Sequence, residues 1–173
     1  YSSGGFLVGI AFDYTSSIIP AGSAPEGHAV LYLNRGTVST TVDIPTNGFY
    51  RLTFLAATRG SIYTNRHVEV QLDGVTLRTI TTPTTAYWKH AIRLPYLTAG
   101  THTVGFKGVG PDNALVAMID DIQVCSVRAC ESGPVQPAVI NAGFELSLEM
   151  IEAGTIVTNE PAGLGWTFSG LAG

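Results

Sequence analysis

Two stretches set aromatic rings beside flat polar groups: Tyr63-Thr64-Asn65-Arg66 and Tyr87-Trp88. A sugar is recognised by that pairing, because its apolar ring face lies against an aromatic plane while amide and guanidinium groups take its hydroxyls. Asp112-Asn113, in a Gly-Val-Gly-Pro-Asp-Asn loop, offers further polar groups. Tyr63, Asn65, Arg66, Tyr87, Trp88 and Asn113 are therefore candidate glycan contacts. Each also has a plainer reading. Aromatics in a β protein commonly fill the core, Trp88 begins a strand, and Pro-Asp-Asn is good turn chemistry.

Covalent and acid–base chemistry is poorly represented. The chain has no Gly-x-Ser-x-Gly elbow, no His-Glu-x-x-His and no phosphate-cradling glycine loop. Its four histidines fall mostly at strand ends. A glycosidase needs only two opposed carboxylates, which is a matter of geometry rather than of a sequence word. The reading is a non-enzyme. Cys125 and Cys130 enclose a loop that a disulfide can close, whereas zinc would call for more Cys or His nearby. Closing so short a loop contributes about 2 kcal/mol in the entropy model, so the bridge pins a junction. Two free thiols in a reducing compartment are the alternative.

Composition narrows the partners. The 173 residues are 45% hydrophobic and 13% charged, which describes one folding domain with an appendage rather than a disordered chain. Nine Lys and Arg and a formal net charge of −4 give no cationic footprint, so no nucleic-acid partner is expected. Apolar runs such as Ala114 to Ile119 are too short for a membrane span, and no charged-then-apolar leader opens the sequence.

The elements that must position the candidate residues read as β throughout. His28 to Leu33 and Thr37 to Ile44 suggest a hairpin turning at Asn34-Arg35-Gly36. Phe49 to Thr58 places Tyr50, Leu52, Phe54 and Ala56 on one face. His67 to Leu72 and Val75 to Thr81 flank Asp73-Gly74, a strong type I′ hairpin signal. Trp88 to Leu94, Thr101 to Phe106 and Ala114 to Val124 complete enough strands for two sheets, as in a sandwich or jelly roll. The Thr81 to Thr85 cluster offers acceptors for O-linked sugar. Cys125 to Pro137, with Pro134 and Pro137, reads as a linker.

Four words in order, Gly48 to Phe54 (GFYRLTF), Val68 to Gly74 (VEVQLDG), Ala99 to Val104 (AGTHTV) and Ile119 to Ile122 (IDDI), resemble the galactose-binding-like jelly rolls of extracellular proteins. The resemblance spans roughly 24–124. It implies a mostly non-catalytic carbohydrate-binding or cell-surface module, extracellular or at the cell surface. Such modules open with Asn-x-x-Phe-Glu and Gly-Trp-x-x-x-Gly, and here these words come last, as Asn141 to Glu145 and Gly165 to Gly170. The resemblance therefore divides the chain into a sandwich core lacking its opening strands (1–124), a linker (125–137) and the opening strands themselves (138–173). By likeness to calcium-bearing members, Asp120, Asp121 and Glu145 are candidate ligands of a structural Ca²⁺, a hard cation that takes several oxygens. The competing reading gives these Asp residues to solvent and to neighbouring backbone.

The final segment is too apolar to lie free and too short to bury itself. Phe144, Leu146, Leu148, Trp166 and Phe168 are the candidate plug. It seats either in a neighbouring subunit or tandem repeat, giving head-to-tail assembly into a filament or surface array, or in its own module. Head-to-tail self-assembly is the leading expectation, and a carbohydrate-binding module or adhesin repeat the alternative.

Overall fold

The computed structural model describes residues 8–12, 24–59, 66–109, 116–127 and 165–169. Ten strands make up its regular elements: β1 (Val8–Phe12), β2 (Ala29–Leu33), β3 (Gly36–Ile44), β4 (Gly48–Thr58), β5 (Arg66–Leu72), β6 (Val75–Thr82), β7 (Trp88–Leu97), β8 (Gly100–Val109), β9 (Ala117–Ser126) and β10 (Trp166–Ser169). They form two antiparallel five-stranded sheets, ordered β1-β2-β9-β4-β7 and β10-β3-β8-β5-β6. The expected all-β jelly-roll sandwich is the observed fold. No helix among the described residues is long and apolar enough to cross a membrane.

Side-chain alternation explains the layering. On β4 the inward set is Tyr50, Leu52, Phe54 and Ala56, and on β3 it is Val38, Val42 and Ile44, all buried. Phe54 meets Phe106 of the opposite sheet edge-on at 5.1 Å, joining the layers at mid-core. The Asp73-Gly74 turn is as expected, with φ of 49° and 79° at its two central residues, the left-handed pair that a type I′ turn requires.

The expected hairpin between His28–Leu33 and Thr37–Ile44 does not form. β2 pairs with β1 and β9, while β3 pairs with β8 and β10 in the other sheet. The reason lies in β2, which is buried at every position: Ala29, Leu31 and Leu33 face the main core, and Val30 and Tyr32 face a second apolar cluster behind the sheet. A strand covered on both faces takes a central place, and Asn34-Arg35 carries the chain across to the other layer. Gly108 is needed there, because a Cβ would collide with the Asn34 carbonyl.

β9 carries one extra residue relative to β4: Thr53 pairs with Gln123 and Leu55 with Asp120. The bulge falls at Asp121, which adopts φ 48°, a left-handed conformation that Asp tolerates better than most side chains. It lets Ile119 and Ile122, three apart, both point into the core, and it leaves Asp120 on the outer face.

The described part of the tail, residues 165–169, docks on its own chain. β10 pairs with the β3 edge, Trp166 opposite Thr40 and Ser169 opposite Thr37, and Trp166 is wholly buried in the main core. Thr40 Oγ1 donates to the Gly165 carbonyl, and Ser169 Oγ to the Thr37 carbonyl at 3.3 Å. Of the other expected plug residues, Phe168 holds a β10 position opposite Val38, and Phe144, Leu146 and Leu148 lie outside the described residues.

Candidate functional site

One pole of the sandwich gathers the C-terminal end of β4, the β6–β7 connection and the N-terminal end of β9. Backbone hydrogen bonds clamp them together: Thr58 N–H donates to the Thr84 carbonyl at 2.8 Å, and Arg59 N–H to the Val116 carbonyl at 3.1 Å. Trp88 stands on this clamp. It is 60% exposed, and its indole N–H donates to Thr84 Oγ1 at 3.0 Å. Trp88 is therefore on the surface rather than in the core. An exposed ring held by its only polar atom is a pre-oriented apolar plane, at little entropic cost to a ligand that lies on it.

Tyr87, next in line, has a different placement. It packs on the cluster of Ala11, Val30, Tyr32, Ala57, Val116 and Met118, with its hydroxyl 3.7 Å from Met118 Sδ. Burial, and then the nearby Asp120 carboxylate, push its phenol well above the usual tyrosine range. Tyr87 thus braces the pole from beneath. Arg66 opens β5 opposite Thr82. Tyr63, Asn65 and Asn113 lie outside the described residues. Of the six expected glycan contacts, Tyr87 and Trp88 have described side chains, and these point to different tasks.

Asp120 is fully buried on the outer face of β9. Its Oδ2 accepts the Glu26 N–H at 3.0 Å, tying the segment before β2 to the sheet, and its Oδ1 accepts the Asp121 N–H at 2.8 Å. Desolvation raises its pKa to about 7, against the pull of those two hydrogen bonds. Asp121 Oδ1 accepts from the Gln123 amide. Three of the four oxygens of this pair therefore already accept N–H donors, and no group of three His, Cys, Asp or Glu among the described residues converges as a metal site. The third expected ligand, Glu145, lies outside the described residues. The described oxygens by themselves do not make the six to eight that Ca²⁺ takes. Cys125 is buried near the end of β9, and Cys130 lies outside the described residues.

Thr84 is the residue that sequence reading missed. Its carbonyl and its hydroxyl both serve the Trp88 pole, and the hydroxyl also donates to the Ala86 carbonyl at 3.3 Å. The available signal is a hydroxyl four residues before an aromatic, just after Pro83, but a Thr-rich run also reads as an acceptor of O-linked sugar.

No family model matches the chain, and no curated protein does. Solved structures do resemble it. A family 35 carbohydrate binding module from an environmental isolate superposes with a TM-score of 0.51 at 17% identity, over 78% of this chain and 91% of that one. The family 35 module of Abf62 from Cellvibrio japonicus gives 0.51 at 21% identity, over 79% and 94%. An exo-β-1,3-galactanase from Phanerochaete chrysosporium, solved with β-1,3-galactotriose, gives 0.50 at 21% identity, over 69% of this chain and 26% of the enzyme. The likeness is one of fold: a jelly roll of the kind found in carbohydrate-binding modules.

Proposed function

We propose that the chain is a non-catalytic, extracellular carbohydrate-binding module that meets its glycan at the Trp88 pole. The observation that carries this reading is Trp88 itself, a large aromatic 60% exposed whose indole N–H is fixed by Thr84. Stacking on its plane supplies affinity, while Arg66, Tyr63, Asn65 and Asn113 supply the polar contacts that select a sugar. Tyr87 holds the platform up. The test is a glycan array probed with the native chain and with Trp88→Ala. Because Trp88 is exposed, the variant should fold, and it should bind at least about fivefold more weakly, since a lost aromatic contact is worth on the order of 1 kcal/mol or more. No binding by the native chain to any glycan, or unchanged binding by Trp88→Ala, overturns the proposal.

Head-to-tail assembly has less behind it, because Trp166 fills a socket in its own chain. We accordingly read 138–173 as the opening strands of the same module, joined through the 125–137 linker. A Cys125–Cys130 bridge at the end of β9 fits the extracellular reading. Calcium at Asp120, Asp121 and Glu145 is a separate proposal, supported by the bulge that sets two carboxylates side by side.

A further inference from the structure

At the opposite pole the structure assigns a second saccharide platform, built by Phe49, Arg93 and Tyr96. The inference rests on the carbohydrate-binding reading and extends it: the module would hold glycan at both ends. Phe49 and Tyr96 are 50% and 58% exposed, and their rings stand perpendicular with centroids 5.3 Å apart, two walls of a corner. The Arg93 guanidinium lies 5.0 Å above the Phe49 ring. No carboxylate among the described residues pairs with it. A guanidinium parked on a ring keeps its in-plane N–H donors for a ligand and has already lost its rotamer freedom.

Phe49 and Arg93 also border a cleft of about 520 Å³, lined besides by Thr46, Asn47, Tyr50 and Ser126, a volume in the usual range of small-ligand sites. Its polar wall is held by hydrogen bonds. Tyr50 Oη donates to the Thr46 carbonyl at 2.9 Å, and Asn47 Oδ1 accepts the Ala99 N–H at 2.6 Å, which leaves the Asn47 amide nitrogen as a donor toward ligand. Flat aromatic faces beside fixed N–H donors suit a pyranose, with its apolar ring face and equatorial hydroxyls. The other exposed aliphatics, Val75 at the β5–β6 turn and Val109 at the end of β8, have no such company. Trp88 and Tyr96 sit eight residues apart on β7, so the two platforms lie roughly 27 Å from one another. A long polysaccharide, or two chains, can engage both.

The experiment is a titration of the ¹⁵N-labelled native chain with short xylo- and galacto-oligosaccharides, read as amide shifts, beside Trp88→Ala, Arg93→Ala/Tyr96→Ala and Tyr96→Ile. Expected are two separate patches of shifted amides, one lost in Trp88→Ala and the other in the double variant. Tyr96→Ile, which keeps bulk but not the flat ring, should also lose the second. On the parent polysaccharides, removing either platform should lower apparent affinity about a hundredfold through lost avidity. Shifts confined to the Trp88 pole, with the double variant binding as native, overturn the second platform and leave the proposed function standing. Shifts confined to the Tyr96 corner overturn the Trp88 assignment and support this one. No shifts with any sugar overturn both.

Discussion

Replacing Asp120 by Asn should change how stability depends on pH more than it changes stability itself. Asp120 is wholly buried, and its pKa stands at about 7 against an ordinary 3.8. Desolvation is the main cause, with Glu26 and Asp121 adding repulsion and the two backbone hydrogen bonds opposing it. A group whose folded pKa is raised binds more protons in the native than in the unfolded state between the two values. Its favourable contribution is therefore complete below about pH 4 and is lost as pH rises through 7. Over that span the loss amounts to roughly 4 kcal/mol at 1.36 kcal/mol per pH unit, an upper figure since local relaxation reduces it. Asn keeps one acceptor oxygen and turns an NH₂ toward a backbone N–H, which costs about 1–3 kcal/mol at every pH. The native protein should thus be the more stable at pH 4.5, and Asp120→Asn should equal or surpass it by pH 8.5. The assay is urea unfolding of both proteins in chelator from pH 4 to 9, where the difference cancels every other titrating group. A difference constant across that range would refute the reasoning, and would mean that the ionised carboxylate is as well accommodated inside the protein as in water.

Calcium supplies the complementary measurement. If Asp120, Asp121 and Glu145 hold the ion, millimolar Ca²⁺ should raise the melting temperature at pH 8 and abolish the gain from Asp120→Asn, while equal melting curves with calcium and with chelator rule the site out. Trp166→Ala should cost about 3–5 kcal/mol, because it empties the largest side chain from the core and leaves the four-residue β10 with little to hold it; a change in urea midpoint worth less than 1 kcal/mol would show that the strand is not docked. His102 donates through Nδ1 to Asp73 at 2.7 Å and through Nε2 to the Thr98 carbonyl at 3.0 Å, which requires the imidazolium. The Asp73 hydrogen bond chiefly raises the His102 pKa; desolvation opposes a fall at Asp73, yet its hydrogen bonds to His102 and Thr103 bring it down. Both groups are near the surface, so the pair is worth at most about 1 kcal/mol, lost as pH falls through the lowered Asp73 pKa or rises through the raised His102 pKa. His102→Gln should remove that bell from the stability profile, and an imidazole proton titrating by NMR below 6.5 would contradict it.

The parts of this molecule that could be read from sequence are those that periodicity and turn chemistry encode. Alternation names a strand and the face it buries, as with Tyr50, Leu52, Phe54 and Ala56, and Asp73-Gly74 names a turn because few residues accept its dihedral angles. Neither names a partner. Nothing local to Asn34-Arg35-Gly36 distinguishes a hairpin from a crossing between sheets; the deciding term is that both faces of β2 need cover, and that cover arrives from the opposite sheet and from Tyr87, distant in the chain. The strand Val8–Phe12 went unread for a related cause, since a short apolar run beside many glycines carries no period of its own.

The same limit accounts for the tail and for the site. The pattern around Trp166 demands a groove with a strand edge, and a groove in the same chain meets that demand as well as one in a neighbour. The concentration of a tethered tail at its own socket exceeds that of a separate copy at ordinary protein concentrations, so a tail able to reach home docks there. Trp88 was harder for the opposite reason. An aromatic at the head of a strand is read as core by default, and what places it outside is a single hydrogen bond to Thr84, itself held by Thr58 from another strand. A platform of this kind is a tertiary feature that composition cannot announce. It follows that aromatic residues at strand ends, such as Trp88 at one end of β7 and Tyr96 near the other, are where a sandwich most readily keeps a binding face, because only there does the inward–outward alternation stop dictating burial.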